Sequence, residues 1–224
     1  TEMSLLDYQT LVDDLVRDDD DKVSTTQRDN AIGNAALKYS DDKPRVLVED
    51  VTADGTDLLP LPASWEADFS NVLSLEYPIG NSPVSYLENF ELYTSPLATK
   101  IKLISTITSG NDVRVNFNVA HTISGTDTTP AKHQEAIACY AASILCTQLA
   151  SLYSSDQDST IAADNVNHGD KSRRFAKRSD ELRDRYHDLL GIDKKRTHAA
   201  SVFGDFDRKD SRGNDRIYHQ GRYR

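Results

Sequence analysis

Cysteine is nearly absent from this chain: Cys139 and Cys146 are the whole complement. Seven residues apart on one helix, their Cα atoms would stand roughly 10 Å apart at about 1.5 Å of rise per residue. That is too far for a bridge, so no disulfide framework is expected, and the chain reads as intracellular in assembly. The two thiols fit better as small buried apolar groups. The sequence shows no signal peptide and no apolar run long enough to span a membrane. Its opening, Thr1-Glu2-Met3, reads as a start from which an initiator Met has been removed. Apolar residues make up 38% and mean hydropathy is −0.59, low for a single globule of 224 residues. One or two domains are expected, with a modest core and much extended or intermolecular surface.

Motifs that carry chemistry are missing as well. His121, His133, His168, His187, His198 and His219 are dispersed, with no i, i+4 pair and third ligand of the kind zinc needs. Cys139 has no C-x-x-C partner; a catalytic pairing with His133 or His187 is the remaining thiol reading. No glycine-rich phosphate loop occurs. Asp18–Asp21 invites a calcium reading, but an EF-hand counted from Asp18 has Val23 where glycine belongs and Asp29 where glutamate belongs. The run reads as a solvated acidic corner. Asp18–Lys22 also spells a protease tag, but it lies between two helices. Trp65 and Phe69 read as packing residues. The sequence therefore predicts no catalytic residue, no metal, no cofactor and no enzyme.

What is present is an uneven charge. Residues 1–60 hold 15 acids against 6 bases, residues 61–170 hold 12 against 4, and residues 171–224 hold 9 against 16, within a net charge of −10. Such asymmetry makes one copy attractive to the next or to an acidic partner. The plain alternative for 171–190 is a set of solvated helix faces.

Two helices open the chain. Ser4 with Asp7, and Ser24 with Gln27, have the form of capping boxes. Leu5, Tyr8, Val12 and Leu15 make one stripe over 4–18; Ile32, Ala35, Ala36 and Tyr39 make another over 25–39, which Pro44 ends. Asp18–Asp21 oppose the first helix's dipole, so it should stop there. Residues 45–51 read as a strand followed by a turn at Asp54-Gly55. Val113, Val115, Phe117 and Val119 alternate strictly with polar residues, a half-buried strand. It is expected to pair with Lys100–Thr106 across Ser109-Gly110-Asn111. Further strands fall at 72–77 and 89–93, between prolines. Helix resumes at Thr129-Pro130, read as an N-cap followed by Pro at the first position. Residues 136–153 are apolar on most sides, with Ile137, Ala141, Ile144, Leu145, Gln148, Leu149 and Leu152 marking a central helix whose alanines allow close approach. A fourth helix spans about 170–190, capped by Asp170 and stopped by Gly191. Phe175, Leu182, Tyr186 and Leu189 form its apolar face.

The fold class is α+β. Two N-terminal helices (1–44) and two C-terminal helices (126–192) form a four-helix bundle, with a small antiparallel β module inserted at 45–125 and an extended C-terminal arm at 193–224. The arm ends in RKDSRGNDRIYHQGRYR, with six bases against two acids and no apolar period. It cannot fold alone, yet Tyr and Arg are side chains that anchor interfaces.

The stretch YPIGNSPVSYLENFELY (77–93) and the run from TTPAKHQEAIACYAASILCTQLASLY (128–153) through STIAADNVNHGDKSRRFAKRSDELRDRYHDLLG (159–191) carry a resemblance. With the N-terminal helices, over about residues 4–192, they resemble the head-to-tail adaptor, or connector, proteins of tailed bacteriophages. The likeness lies in element order and semi-specific words. It implies a virion protein of the neck, assembled in the host cytoplasm, and a homo-oligomeric ring, usually of twelve copies, on the portal protein. Such a ring extends the DNA channel and presents a surface to the next neck or tail protein. Genomic DNA would pass without sequence-specific binding, since an acidic lumen lets it slide. Arg208, Arg212, Arg216, Ile217, Tyr218, Arg222 and Tyr223 are the expected portal-binding side chains of the arm. Arg173, Arg174, Lys177 and Arg178 are expected to meet Asp18, Asp19, Asp20 and Asp21 between neighbouring copies. The competing reading is a nucleic-acid-binding module acting through its basic arm, since Arg and Tyr interleave in single-strand binders. Against it, the folded part is acidic and shows no recognition helix.

Overall fold

The computed structural model describes residues 3–18, 20–155 and 168–192. Residues 1–191 form one unit by their contacts; the second, Ile192–Arg224, is described only at Ile192.

Helices α1 (Leu5–Val16) and α2 (Thr25–Asp42) both begin on the capping boxes that the sequence predicts. The Asp7 amide donates to Ser4 Oγ at 3.3 Å, and the Ser4 amide donates back to the Asp7 carboxylate at 2.8 Å. Ser24 and Gln27 repeat the exchange at 3.2 and 2.9 Å. Each box satisfies two donors that the first turn would otherwise leave orphaned. Helix α1 stops where Arg17 turns left-handed at φ 50°, just before the acidic run. It buries Tyr8, Val12 and Val16; Leu5, expected at the head of the stripe, lies one turn earlier and is exposed. Helix α2 runs to Asp42, past the expected stop, and buries Ile32, Ala35, Ala36 and Tyr39 as expected.

Helix α3 (Gln134–Ser155) is the centre: α1, α2 and α4 (His168–Leu190) all pack on it. Its alanines and both cysteines are buried, and these small side chains let three helices approach one axis. Leu152 and Gln148, expected on the packed surface, are exposed instead. Residues Ala131–Ser154 form a 24-residue helical stretch with mean hydropathy 1.4 in its most apolar window, long and apolar enough to cross a membrane. The sequence reading counted no such run. That window is 67% buried, as befits a core helix covered by its neighbours.

The entry to α3 also differs from expectation. A short 3-10 turn, Ala131–His133, precedes it, and Pro130 remains extended at ψ 134°. The carboxylate of buried Asp127, rather than Thr129, organises the approach. It accepts from the Thr129 amide at 2.8 Å, Gln134 Nε2 at 3.0 Å and the Tyr8 hydroxyl at 3.0 Å. Helix α4 begins two residues before Asp170, which is therefore not its cap. It ends at Gly191, whose φ of +66° suits a residue without Cβ.

Between α2 and α3 lie two three-stranded antiparallel sheets. One has the order β1 (Arg45–Thr52), β6 (Asp112–Val119), β3 (Val72–Glu76); the other has β2 (Leu58–Leu59), β5 (Thr99–Leu103), β4 (Phe90–Thr94). Along β6 the odd residues Val113 to Val119 are buried and the even ones are half-buried, as their alternation predicts. The expected hairpin between β5 and β6 is not formed. Strand β5 ends at Leu103, and the chain crosses to the other sheet with Ile107 buried on the way. Strand β6 pairs with β1 instead, where Arg114 grips Asp50 at 2.8 and 3.0 Å and Thr52 donates to Asp112 at 2.7 Å. Leu59, Ile101 and Leu103 from one sheet meet Val51, Leu75, Val115 and Phe117 from the other in one core.

Candidate functional site

Two surfaces of opposite sign stand out. The first is a groove of about 520 Å³ between the end of α1 and the first half of α4. Five cations line it, Arg17, Lys171, Arg174, Lys177 and Arg178, against two carboxylates, Asp20 and Glu181. Tyr153 and Phe175 also line it, stacked on each other at 5.6 Å with their planes 10° apart. Lys171 Nζ lies 5.1 Å from the centre of the Tyr153 ring, within cation–π reach.

The geometry explains why these charges gather. Arg178 donates through Nε to the Leu15 carbonyl at 2.8 Å. It thereby serves one of the carbonyls that α1 leaves open at its C-terminus and sets a cation against the negative end of that dipole. Asp20 accepts from Tyr153 at 2.7 Å and from Lys171 at 2.9 Å. The Lys171 bond, then the Tyr153 bond, hold its carboxyl below the usual carboxylate range. Asp18 Oδ2 accepts from the Val23 amide at 2.7 Å and so shapes the turn between α1 and α2. Lys177 stands 3.6 Å from Glu181 one turn on. Arg173 and Arg174 are exposed on the same half of α4, and Asp21 is exposed at φ 48°. Asp20 and Arg178, proposed from charge alone, thus have partners inside their own chain, while Asp19 lies outside the described residues. Reading charge runs missed Arg17 and Lys171; the signal for Lys171 was its place at the head of the basic helix.

The second surface is the hairpin of β4 and β5. A hollow of about 530 Å³ beside it is lined by Asp57, Glu88 and Glu91 against Lys102, with Phe90, Leu103 and Ile104. Strand β4 is exposed at four of its five residues, Glu91 to Thr94. It is an edge strand, and β5 makes the core contact through Ile101 and Leu103. Large apolar side chains are left bare: Leu97 at the hairpin tip is 97% exposed and Ile104 is 76% exposed. No sequence pattern marked Leu97, which follows FELYT in the turn, and Ile104 falls within the stretch 100–106 that reads as an ordinary strand.

Half-buried polar groups tie the helices to the sheet end. The Tyr39 hydroxyl meets His133 Nδ1 at 2.7 Å. His121 Nε2 lies 3.1 Å from the Lys43 carbonyl, and its Nδ1 lies 3.1 Å from Thr128 Oγ1. Burial is the leading cause that lowers the affinity of both imidazoles for a proton. Cys139 and Cys146 are fully buried, and burial pushes each thiol up to about 11. At neutral pH they are thiols, not thiolates. Trp65 packs on Phe117 with ring centres 5.9 Å apart, as a packing residue. Among the described residues no three His, Cys, Asp or Glu side chains are placed to hold a metal ion. The expected arm residues Arg208, Arg212, Arg216, Ile217, Tyr218, Arg222 and Tyr223 lie outside the described residues.

No protein-family model and no curated protein matches the chain. Among solved structures, the chain is similar to one from the neck of a native GTA particle computed with C12 symmetry, at 14% identity and a TM-score of 0.26. The match covers 78% of this chain and 93% of that one. Likeness at that level is too slight to carry a role across.

Proposed function

We propose that this chain is a structural virion protein, a head-to-tail adaptor. Copies of it form a ring on the portal vertex, prolong the DNA channel, and dock the next neck or tail protein. The observation that carries the reading is the pairing of surfaces on one chain. A cationic groove stands on the helices, and on the sheets an acidic hollow lies beside a hairpin with bare leucine, tyrosine and isoleucine. Exposed apolar side chains rimmed by charge are what protein partners cover. The sequence resemblance to phage adaptors supports the same reading and supplies its finer terms: twelve copies, the portal as partner, and DNA passing without specific contacts. In this reading residues 1–44 and 126–192 are the helical frame, 45–125 the insertion, and 193–224 an arm that orders on the portal through Arg208, Arg212, Arg216, Ile217, Tyr218, Arg222 and Tyr223. Arg173, Arg174, Lys177 and Arg178, with Asp18–Asp21, belong to the ring contact.

Truncation tests the reading. Removing 205–224 is expected to leave a soluble, folded protein that no longer joins the portal, so that DNA-filled heads accumulate without tails. Tailed, infectious particles at normal yield from the truncated protein would overturn the arm's assignment. The same truncation also probes the competing role: salt-sensitive DNA binding by the full chain that vanishes on truncation, with particle assembly unaffected, would favour the nucleic-acid module.

A further inference from the structure

We propose that the β insertion is a hinged body. It swings on the helical frame about two neighbouring crossings of the chain, Lys43–Arg45 and Val119–His121, and the imidazole of His121 is the clamp that holds those crossings together. The proposal needs neither the ring nor the portal.

The two parts keep separate interiors. Among the described residues, the core that both sheets share, from Val51 to Val119, takes in no residue of any helix. Helices pack on helices and strands on strands, and among the described residues no helix packs along a strand. Bodies that share no broad apolar interface move relative to one another by default.

The crossings lie side by side. On the way out, α2 ends at Asp42, Lys43 is its C-cap, and Pro44 stands directly before the first residue of β1. On the way back, β6 ends at Val119, the residue paired with Arg45. Here the boundary falls at one residue. Ala120 donates its amide to the Glu66 carboxylate of the sheet body at 2.8 Å, whereas His121 donates its amide to Ser40 Oγ of α2 at 2.9 Å. A little further on, Asp127 is already bound to Tyr8 of α1. The axis therefore runs through Pro44 and Ala120. Hinges of this kind are a few residues at the ends of elements that absorb the backbone rotation.

His121 closes the gap between the crossings. Its Nε2 lies 3.1 Å from the Lys43 carbonyl, which can only accept, so this nitrogen carries the proton. Nδ1 then accepts from the Thr128 hydroxyl, also at 3.1 Å. The Tyr39 ring stands 5.0 Å from the imidazole, centre to centre. One side chain thus ties the outgoing strand to the returning one. Such hydrogen bonds exchange for bonds to water at small net cost, so the clamp can open without breaking either core. The consequence is mechanical. Leu97 and Ile104, the barest large apolar side chains among the described residues, stand on the insertion. A partner that grips them can tilt the sheets while α3 and its neighbours stay packed.

Spin labels test this. The cross pair is Leu37→Cys on α2 with Leu97→Cys at the hairpin tip. The same-body pairs are Leu6→Cys with Leu37→Cys, and Val48→Cys with Leu97→Cys. All four positions are exposed, and the two native thiols are fully buried. Full-length protein, diluted with unlabelled copies, is measured by double electron–electron resonance without further change, with His121→Ala, and with Thr128→Val, the milder cut that removes only the hydroxyl bound by Nδ1. The width of the cross-pair distance distribution is expected to grow about twofold with His121→Ala and less with Thr128→Val, while both same-body widths stay unchanged. A cross pair as narrow as the same-body pairs in all three backgrounds overturns the hinge. A cross pair that is broad from the start and indifferent to both substitutions overturns the clamp. Same-body widths that grow along with the cross pair in both variants mean one common core, which also overturns the proposal. Where His121→Ala alone loses its fold, Thr128→Val decides.

Discussion

Tyr186, near the end of α4, donates its hydroxyl to Asp42, the last residue of α2, at 2.6 Å. Tyr186 is fully buried, and Lys38 meets the same carboxylate at 2.7 Å. The bond joins the helix before the sheets to the last helix after them, 144 residues apart. Tyr186→Phe keeps the ring and removes only the donor. It is expected to cost about 1.5–3 kcal/mol, the range for a hydrogen bond to a charged group, read in a urea titration. An unchanged midpoint would mean that this bond contributes nothing to closing the helices around the insertion.

Phe117 tests the sheet core. It is fully buried, faces Trp65, and belongs to the cluster both sheets share. Phe117→Ala is expected to cost about 3–5 kcal/mol. A loss below about 1 kcal/mol in the same titration would place the strand at the periphery.

Acid should loosen the junction between helices and sheets. His121 and His133 start from an ordinary value of 6.5 and are lowered in the fold, burial being the leading cause. Around them, Arg45, Lys43 and Lys132 add to the lowering, and Asp127 opposes it at His121. The unfolded chain therefore binds more protons than the folded one below pH 6.5, so stability is full above that pH and falls as pH drops through the lowered values. The paired carboxylates Asp7, Asp20, Asp50 and Asp54 act in the same direction only lower, below their ordinary 3.8. The urea midpoint should thus begin to fall as pH drops below about 6.5, and His121→Gln with His133→Gln should flatten that first step. A midpoint that rises over the same window would contradict the assignment.

Much of this was legible in local sequence. The boxes at Ser4–Asp7 and Ser24–Gln27, the period of two along β6, the all-round apolar α3 and the stop at Gly191 depend on near neighbours, and each appears where expected. What was hidden depends on distant partners. Alternation says that Val113–Val119 have a buried face but not which strand lies alongside, so β1 was missed as the partner of β6. Two residues, Leu58 and Leu59, are too few to announce β2. The entry of α3 hangs on Asp127 meeting Tyr8, 119 residues away. In the groove, charge runs named Arg178 and Asp20, but the Leu15 carbonyl and the Tyr153 hydroxyl carry no sequence signal.

Thiol chemistry offers an independent check on α3. Cys139 and Cys146 are fully buried, and burial pushes both up to about 11. A disulfide reagent at pH 8 should label neither in the folded protein and both in denaturant. Rapid stoichiometric labelling without denaturant would contradict the place of α3 at the centre of the helices.

The central claim concerns where the protein sits. A reconstruction of the particle neck, to a resolution that traces side chains, decides it. The account predicts a ring of this chain seated on the portal. Absence of the chain from the neck would contradict the assignment of function.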